Sequence, residues 1–169
     1  MTPDVSPQDK LEVARTYASW GWHSFPVVPL IEDKLPAIKG WPDLATTDLA
    51  QIEQWWGREF VGYNIGIVTG ERSNLLVIDV DNGPGKFGED NLDTLCERLG
   101  KLPDTPTVLT PHGGRHLYFA WPGFNPSQDA LGKDIDVQGN GRFVVAPPSV
   151  SADGVYCWEQ SLRPSSWFR

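Results

Sequence analysis

Cysteine is scarce in this chain: only Cys96 and Cys157 occur, and they stand at no metal-binding spacing. That excludes a disulfide framework and a cysteine-based zinc site as organising features of the fold. Long apolar runs are also missing, since no stretch approaches the roughly 20 residues needed to cross a bilayer. The start of the chain, MTPDVSPQDK, has neither the basic beginning nor the apolar core of a signal peptide. No repeat or low-complexity linker interrupts the sequence. A cytoplasmic protein with reduced thiols and no membrane partner is the expectation. Positive charge is in short supply too: 14 Lys and Arg face 22 Asp and Glu, a formal net charge of −8. Nonspecific nucleic-acid binders draw their affinity from phosphate neutralisation and usually carry a basic surface. Either the chain does not hold nucleic acid strongly, or it does so locally and through metal ions.

What the chain has is material for a core. In 169 residues, 40% are hydrophobic and eight are Trp, enough for one folded domain or one domain in two lobes. The spacing predicts a first helix with Ser6 as its cap, Pro7 at the first position and Leu11, Ala14, Tyr17 and Ala18 on one face, stopped by Gly21. A strand over 23–30 is expected next, then an irregular stretch holding Lys34, Pro36, Lys39 and Gly40. A second helix starts near Thr46 or Thr47 and carries Leu49, Ile52, Trp55 and Trp56 up to Gly57. Strands are predicted over 63–69 and 75–80 around the Gly70 turn, and a third helix over 91–99 ends at Gly100.

The second half reads as mostly β. Segments 107–110 and 115–120 flank the loop sequence PHGG. Segments 134–138 and 142–146 flank Gly139-Asn140-Gly141, whose Asn-Gly pair predicts a hairpin, and 155–158 adds a last strand. The tail, SLRPSSWFR, has no periodicity of its own. Helices mixed irregularly with hairpins indicate an α+β fold rather than a doubly wound parallel sheet.

Strand alternation then points to chemistry. In VIDVD, Asp79 and Asp81 share a face; in DIDVQ, Asp134, Asp136 and Gln138 share one; in RHLYF, His116 and Tyr118 share one. If these strands are neighbours, carboxylates and a histidine converge. Close carboxylates repel unless a cation sits among them, and oxygen-only ligands suit Mg²⁺ or Mn²⁺. Two such ions about 3.5–4 Å apart serve in-line phosphoryl displacement. The plain alternatives are solvated strand ends for the aspartates and a packed, hydrogen-bonded strand histidine for His116. Gly113 and Gly114 would let backbone N–H groups approach an anion, and Arg115 would add a bidentate phosphate donor. Lys34 and Lys39 are candidate phosphate or template contacts, though loop lysines are commonly only solvated. Neutralising Asp79 or Asp81 is expected to spare the fold and, by relieving repulsion, to raise metal-free stability.

The motifs VIDVD, TPHGGRHLYF and IDVQGNGRFVVAPPS, in that order, closely resemble the N-terminal bifunctional primase–polymerase (prim-pol) family of the archaeo-eukaryotic primase superfamily. The flanks TYASWGWHSFPVVPL with its following K.P, GW…ATT…I..WW, and NIGIVTG resemble it too, so the likeness covers about residues 11–150. The resemblance implies that Asp79, Asp81 and Asp136 hold two divalent ions, Mg²⁺ or Mn²⁺, with Asp134 the competing third carboxylate. It implies that His116, helped by Arg115 and the Gly113-Gly114 backbone, holds the triphosphate of an incoming dNTP or NTP. Where the family often has Ser before the glycine pair, this chain has His112, so an imidazole stands where a hydroxyl would meet phosphate. The implied fold is a small α/β module packed on an RRM-like catalytic module, with the site in the cleft between. The implied activity is template-directed nucleotidyl transfer on a DNA template and primer, in phage or plasmid replication within a bacterial host. Such domains are commonly the N-terminal part of replication proteins carrying a helicase; here a helicase domain or partner would lie outside the sequence. The competing readings are a metal-dependent nuclease or other DxD nucleotide transferase, and a non-catalytic nucleic-acid-binding module.

Overall fold

The computed structural model describes residues 7–159. The Ser6 cap and the SLRPSSWFR tail lie outside the described residues. Helix α1 (Pro7–Ser19) turns Leu11, Ala14 and Tyr17 into the core and stops before Gly21, whose φ of 82° suits glycine. Strand β1 is shorter than its apolar run suggested, Ser24–Val27. The chain turns after it because Val28 N–H donates to Leu35 C=O, closing a loop that Leu30 enters with a positive φ. A one-turn helix α2 (Trp41–Leu44) follows, and Arg72 donates to the carbonyls of Pro42, Asp43 and Ala45 around its end. Helix α3 (Leu49–Gln54) is capped by the Asp48 side chain, which accepts from Ala50 N–H. The helical path does not end at Gly57: it continues as a π-helical turn, Trp55–Glu59, that sends both Trp55 and Trp56 into the core.

Strand β2 (Asn64–Val68), a 3₁₀ turn (Glu71–Ser73) and β3 (Leu75–Val80) come next. A tight hairpin of β4 (Asn82–Gly83) and β5 (Lys86–Phe87) leads into helix α4 (Gly88–Leu99). Helix α4 starts three residues before the predicted 91, because Gly88 N–H donates to Asp81 C=O and pins the helix start to the end of β3. A Cβ on Gly88 would sit 2.3 Å from that same carbonyl, so only glycine permits the approach.

The remaining strands are β6 (Thr107–Leu109), β7 (Arg115–Ala120), β8 (Ile135–Gln138), β9 (Phe143–Ala146), β10 (Val150–Ser151), β11 (Gly154–Val155) and β12 (Cys157–Trp158). The expected last strand over 155–158 is thus two pieces, one pairing with β10 and one with β6. Two larger antiparallel sheets result, one ordered β1-β2-β9 and one ordered β12-β6-β7-β3-β8. The mixed architecture is α+β, as composition and pattern indicated.

The Asn-Gly hairpin is not formed. Strands β8 and β9 belong to different sheets, β8 pairing with β3 and β9 with β2. Asn140 instead spends its polar groups on tertiary contacts: its side-chain oxygen accepts from Glu71 N–H, and its own N–H donates to Asn125. A local turn signal lost here to the burial of Val144 and Val145 against Ile65 and Ile67.

One core cluster joins the two sheets, with Phe25, Ile65, Ile67 and Val144 from the smaller and Leu75, Val77, Val108 and Tyr118 from the larger. Trp22 packs on Tyr118 with ring centroids 5.4 Å apart, tying the end of α1 to β7. A second cluster of Ile78, Val80, Leu117 and Ile135 with Leu92 seats α4 on the opposite face of the larger sheet. One face of β3 is therefore covered through Leu75 and Val77 and the other through Ile78 and Val80, and Asp79 follows Val77 on the face that looks toward the smaller sheet.

Candidate active site

Strand β3 lies between β7 and β8, so each of its residues has two cross-strand neighbours. Asp79 is directly opposite His116 on β7 and directly opposite Asp136 on β8. Opposed residues of an antiparallel pair project to the same face. His116, Asp79 and Asp136 thus form one row across three strands, with Asp81 two residues further along. The row occupies the face that Val77, Tyr118 and Val108 share with the core joining the two sheets.

Asp79 is the hub. Its Oδ1 lies 3.3 Å from His116 Nε2, and its Oδ2 lies 3.6 Å from Lys34 Nζ and 3.5 Å from Gln138 Nε2, which donates to it. Burial alone would raise the Asp79 carboxyl, but His116, Lys34 and Gln138 outweigh it and hold the group well below the ordinary carboxylate range. Asp81 behaves oppositely. It is 51% exposed, and partial burial together with repulsion from Asp79 and Asp136 pushes its carboxyl up, against the attraction of Lys86 and Lys34. Asp136 accepts from Gln128 Nε2 at 2.9 Å, which fixes its orientation.

His116 is only 1% exposed, and its Nδ1 and the nearby Tyr118 hydroxyl are buried with no hydrogen-bond partner among the described residues. Tyr156, itself buried, places its ring 6.0 Å from the imidazole. Burial raises the Tyr156 phenol, with Lys34 opposing and Asp79 reinforcing the shift.

Other predicted residues fall elsewhere. Asp134 does not share the face of Asp136: it precedes β8 with a φ of 60°, so strand alternation does not extend to it. Its carboxylate accepts from Phe87 N–H at 3.2 Å and pairs with Lys86 at 3.4 Å, both of which lower it below the usual range. Arg115 projects opposite to His116, toward α4, and makes a two-pronged pair with Glu89 at 2.5 and 2.8 Å. His112 is exposed and pairs with Asp153 at 3.4 Å. Lys39 is exposed in the stretch before α2. Gly113 N–H is engaged by Thr110 C=O in the β6–β7 turn, at a φ of 85°. Gly114 has a packing reason to be glycine, since a Cβ there would meet Val80 C=O at 2.3 Å.

The sequence reading missed Lys86, Gln128 and Tyr156. Lys86 was within reach of it, because the turn Asn82-Gly83-Pro84-Gly85 folds the next residue back on Asp81, where Lys86 Nζ lies 3.7 Å from Oδ2. No local signal marks the other two.

The profile of the family described as bifunctional DNA primase/polymerase, N-terminal (Prim-Pol) matches residues 14–166. This chain belongs to the Prim-Pol family. No curated protein matches it. The Prim-Pol assignment makes nucleotidyl transfer of the primase/polymerase kind the activity class of the chain, with nucleotide and DNA as its ligands. No helix among the described residues is long and apolar enough to cross a membrane.

The donor set suits a hard divalent cation: the row supplies carboxylate oxygens, and Asp81 is raised partly because its neighbours repel it. Among the described residues no three acidic, histidine or cysteine side chains already gather around one point.

Proposed function

We propose that this Prim-Pol chain is a template-directed polymerase or primase, in which a 3′-hydroxyl attacks the α-phosphate of an incoming dNTP or NTP. A new P–O bond forms, the bond to the β-phosphate breaks, and pyrophosphate leaves. The observation that carries the reading is the single row of His116, Asp79 and Asp136 across three strands, with Asp81 beside it. Asp79, Asp81 and Asp136 would hold two divalent ions, Mg²⁺ or Mn²⁺, which when bound lower the charge at the attacking and leaving oxygens. Asp136 is preferred over Asp134 because it stands opposite Asp79, whereas Asp134 is committed to Lys86 and Phe87 N–H.

His116 would serve the nucleotide phosphates from beside Asp79, while Gln138 and Gln128 keep the Asp79 and Asp136 carboxylates aimed. Arg115 has no part in this, since Glu89 holds it on the other face of the sheet. The larger sheet with α4 would be the RRM-like catalytic module and the smaller sheet with α1 to α3 the accessory one, with the site between them. Support comes from the row lying on the face that turns toward the shared core. The domain would work on a DNA template and primer in the cytoplasm, in phage or plasmid replication, with any helicase supplied outside this sequence.

Primer extension with labelled dNTP and Mg²⁺ or Mn²⁺ tests the reading. Template-dependent extension with pyrophosphate release is expected. Strand cleavage in its place would assign a nuclease, and DNA binding without incorporation would assign a non-catalytic module.

A further inference from the structure

Each aspartate of the DxD pair is faced by one lysine. Lys34 Nζ lies 3.6 Å from Asp79 Oδ2, and Lys86 Nζ lies 3.7 Å from Asp81 Oδ2. The two lysines are not equivalent. Lys86 also pairs with Asp134, its principal partner, and so belongs to the β4–β5 hairpin. Lys34 has no carboxylate besides Asp79 within ion-pair distance among the described residues. It reaches the strand from a loop whose base is fixed: Val28 N–H to Leu35 C=O at 2.9 Å, Leu30 N–H to Val150 C=O at 3.2 Å, and a bridge between Val27 and Pro36. The backbone is thus anchored, while the Lys34 side chain is 42% exposed on a flexible stem.

We infer that Lys34 is the resident counter-ion of Asp79 in the metal-free protein, that a divalent ion displaces it, and that the released ammonium then binds the phosphates of the incoming nucleotide. This rests on the polymerase reading above. The separation of 3.6 Å is too long for a direct hydrogen bond, so the contact is Coulombic and easily surrendered. A divalent ion on Asp79 Oδ2 would bring two positive charges to the oxygen that Lys34 faces, and the ammonium and the ion cannot share it. The phosphates that accompany the ion supply the negative charge that Lys34 loses. One residue therefore acts with opposite signs: it competes with the metal alone and cooperates with metal plus nucleotide. A lysine that merely props the loop would do neither.

The experiment uses the purified chain, with Mn²⁺ as the probe in calorimetric or electron-paramagnetic titration, followed by dNTP titration at saturating Mn²⁺. Lys34→Met, which keeps the apolar stem, is expected to bind Mn²⁺ alone about three- to fivefold more tightly than the unmodified chain, the scale of a half-exposed ion pair. The same variant is expected to bind dNTP about tenfold more weakly, the scale of one charge-assisted contact. Lys34→Arg is expected to move both values back toward those of the unmodified chain. Unchanged or weaker Mn²⁺ binding by a folded Lys34→Met overturns the inference, as does unchanged dNTP affinity. If the unmodified chain binds Mn²⁺ and dNTP but Lys34→Met matches it, this inference alone falls. If the unmodified chain binds neither, the polymerase reading falls with it.

Discussion

Asp79 and His116 face each other across β3 and β7 with Oδ1 and Nε2 3.3 Å apart, and both side chains are almost closed to solvent. Asp79 is therefore a structural partner as well as a candidate ligand. That corrects the expectation that either aspartate of the pair can be neutralised without harm to the fold.

The two aspartates should respond oppositely. Asp79→Asn removes a carboxylate that His116 and Lys34 stabilise, and should cost about 1–3 kcal/mol of stability as well as all incorporation. Asp81→Asn relieves repulsion and should abolish incorporation with an equal or higher metal-free Tm. The pH dependence follows the same signs. The lowered Asp79 group contributes stability that is present above the unfolded value near 3.8 and is lost as pH falls through its folded value. The raised Asp81 group binds its proton more tightly when folded, so stability declines as pH rises from 3.8 through its folded value. Thermal melts from pH 2 to 7 on both variants and the parent check the pair. Robust extension by Asp79→Asn at saturating Mn²⁺ would remove it from the metal site.

His116→Ala empties a buried position and should cost about 2–4 kcal/mol of stability. If His116 serves phosphate, dNTP affinity of the surviving folded protein should also fall, by about 1.5–3 kcal/mol. Primer–template binding should hardly change. A destabilised variant with parental dNTP affinity, measured below its Tm, would leave His116 with a packing role alone.

Arg115→Ala should leave incorporation intact while lowering stability by up to about 1 kcal/mol, because its partner is Glu89 on α4 and not the carboxylate row. A large rise in KM for dNTP would contradict that placement.

The glycine pair separates packing from conformation. Gly114→Ala should be severely destabilising, because its Cβ would meet Val80 C=O at 2.3 Å and force β7 away from β3 beside His116. Gly113→Asn should be milder, about 1 kcal/mol, since its position is open and asparagine tolerates a left-handed backbone. Melting temperatures of the two variants decide.

Primer–template binding by this chain, with its formal charge of −8, should be weak and strongly salt-dependent. With about three phosphate contacts, a fourfold rise in salt should lower affinity about 40-fold. Tight, salt-insensitive binding measured by fluorescence anisotropy would contradict this.

Much of the site was legible because strand alternation is a strict rule. Leu75–Val80 forms over its predicted bounds, and period two alone puts Asp79 and Asp81 on one side of it and His116 opposite Arg115 on β7. The same rule separates Arg115 from His116, a consequence that the phosphate-donor reading of Arg115 passed over. Alternation failed at Asp134, where a left-handed residue breaks the strand. The Asn140-Gly141 signal failed because a hairpin is a local preference, whereas strand partners are set by the core that β9 shares with β2. Lys34 stood out in the sequence as a candidate phosphate or template contact, but its pairing with Asp79, like the place of Tyr156, was illegible because loop-to-strand contacts across the chain leave no periodic trace.

The central place of β3 also governs when the site comes into being. Its two flanking strands, β7 and β8, come from later and separate parts of the chain, and β8 is an edge strand. During synthesis the first aspartates emerge well before His116, and His116 before Asp136, so the row closes only after the last of these non-local pairings is made. A chain cut before β8 would retain VIDVD and the histidine strand yet have no third carboxylate and an open edge on β3, exposed to pairing with other chains.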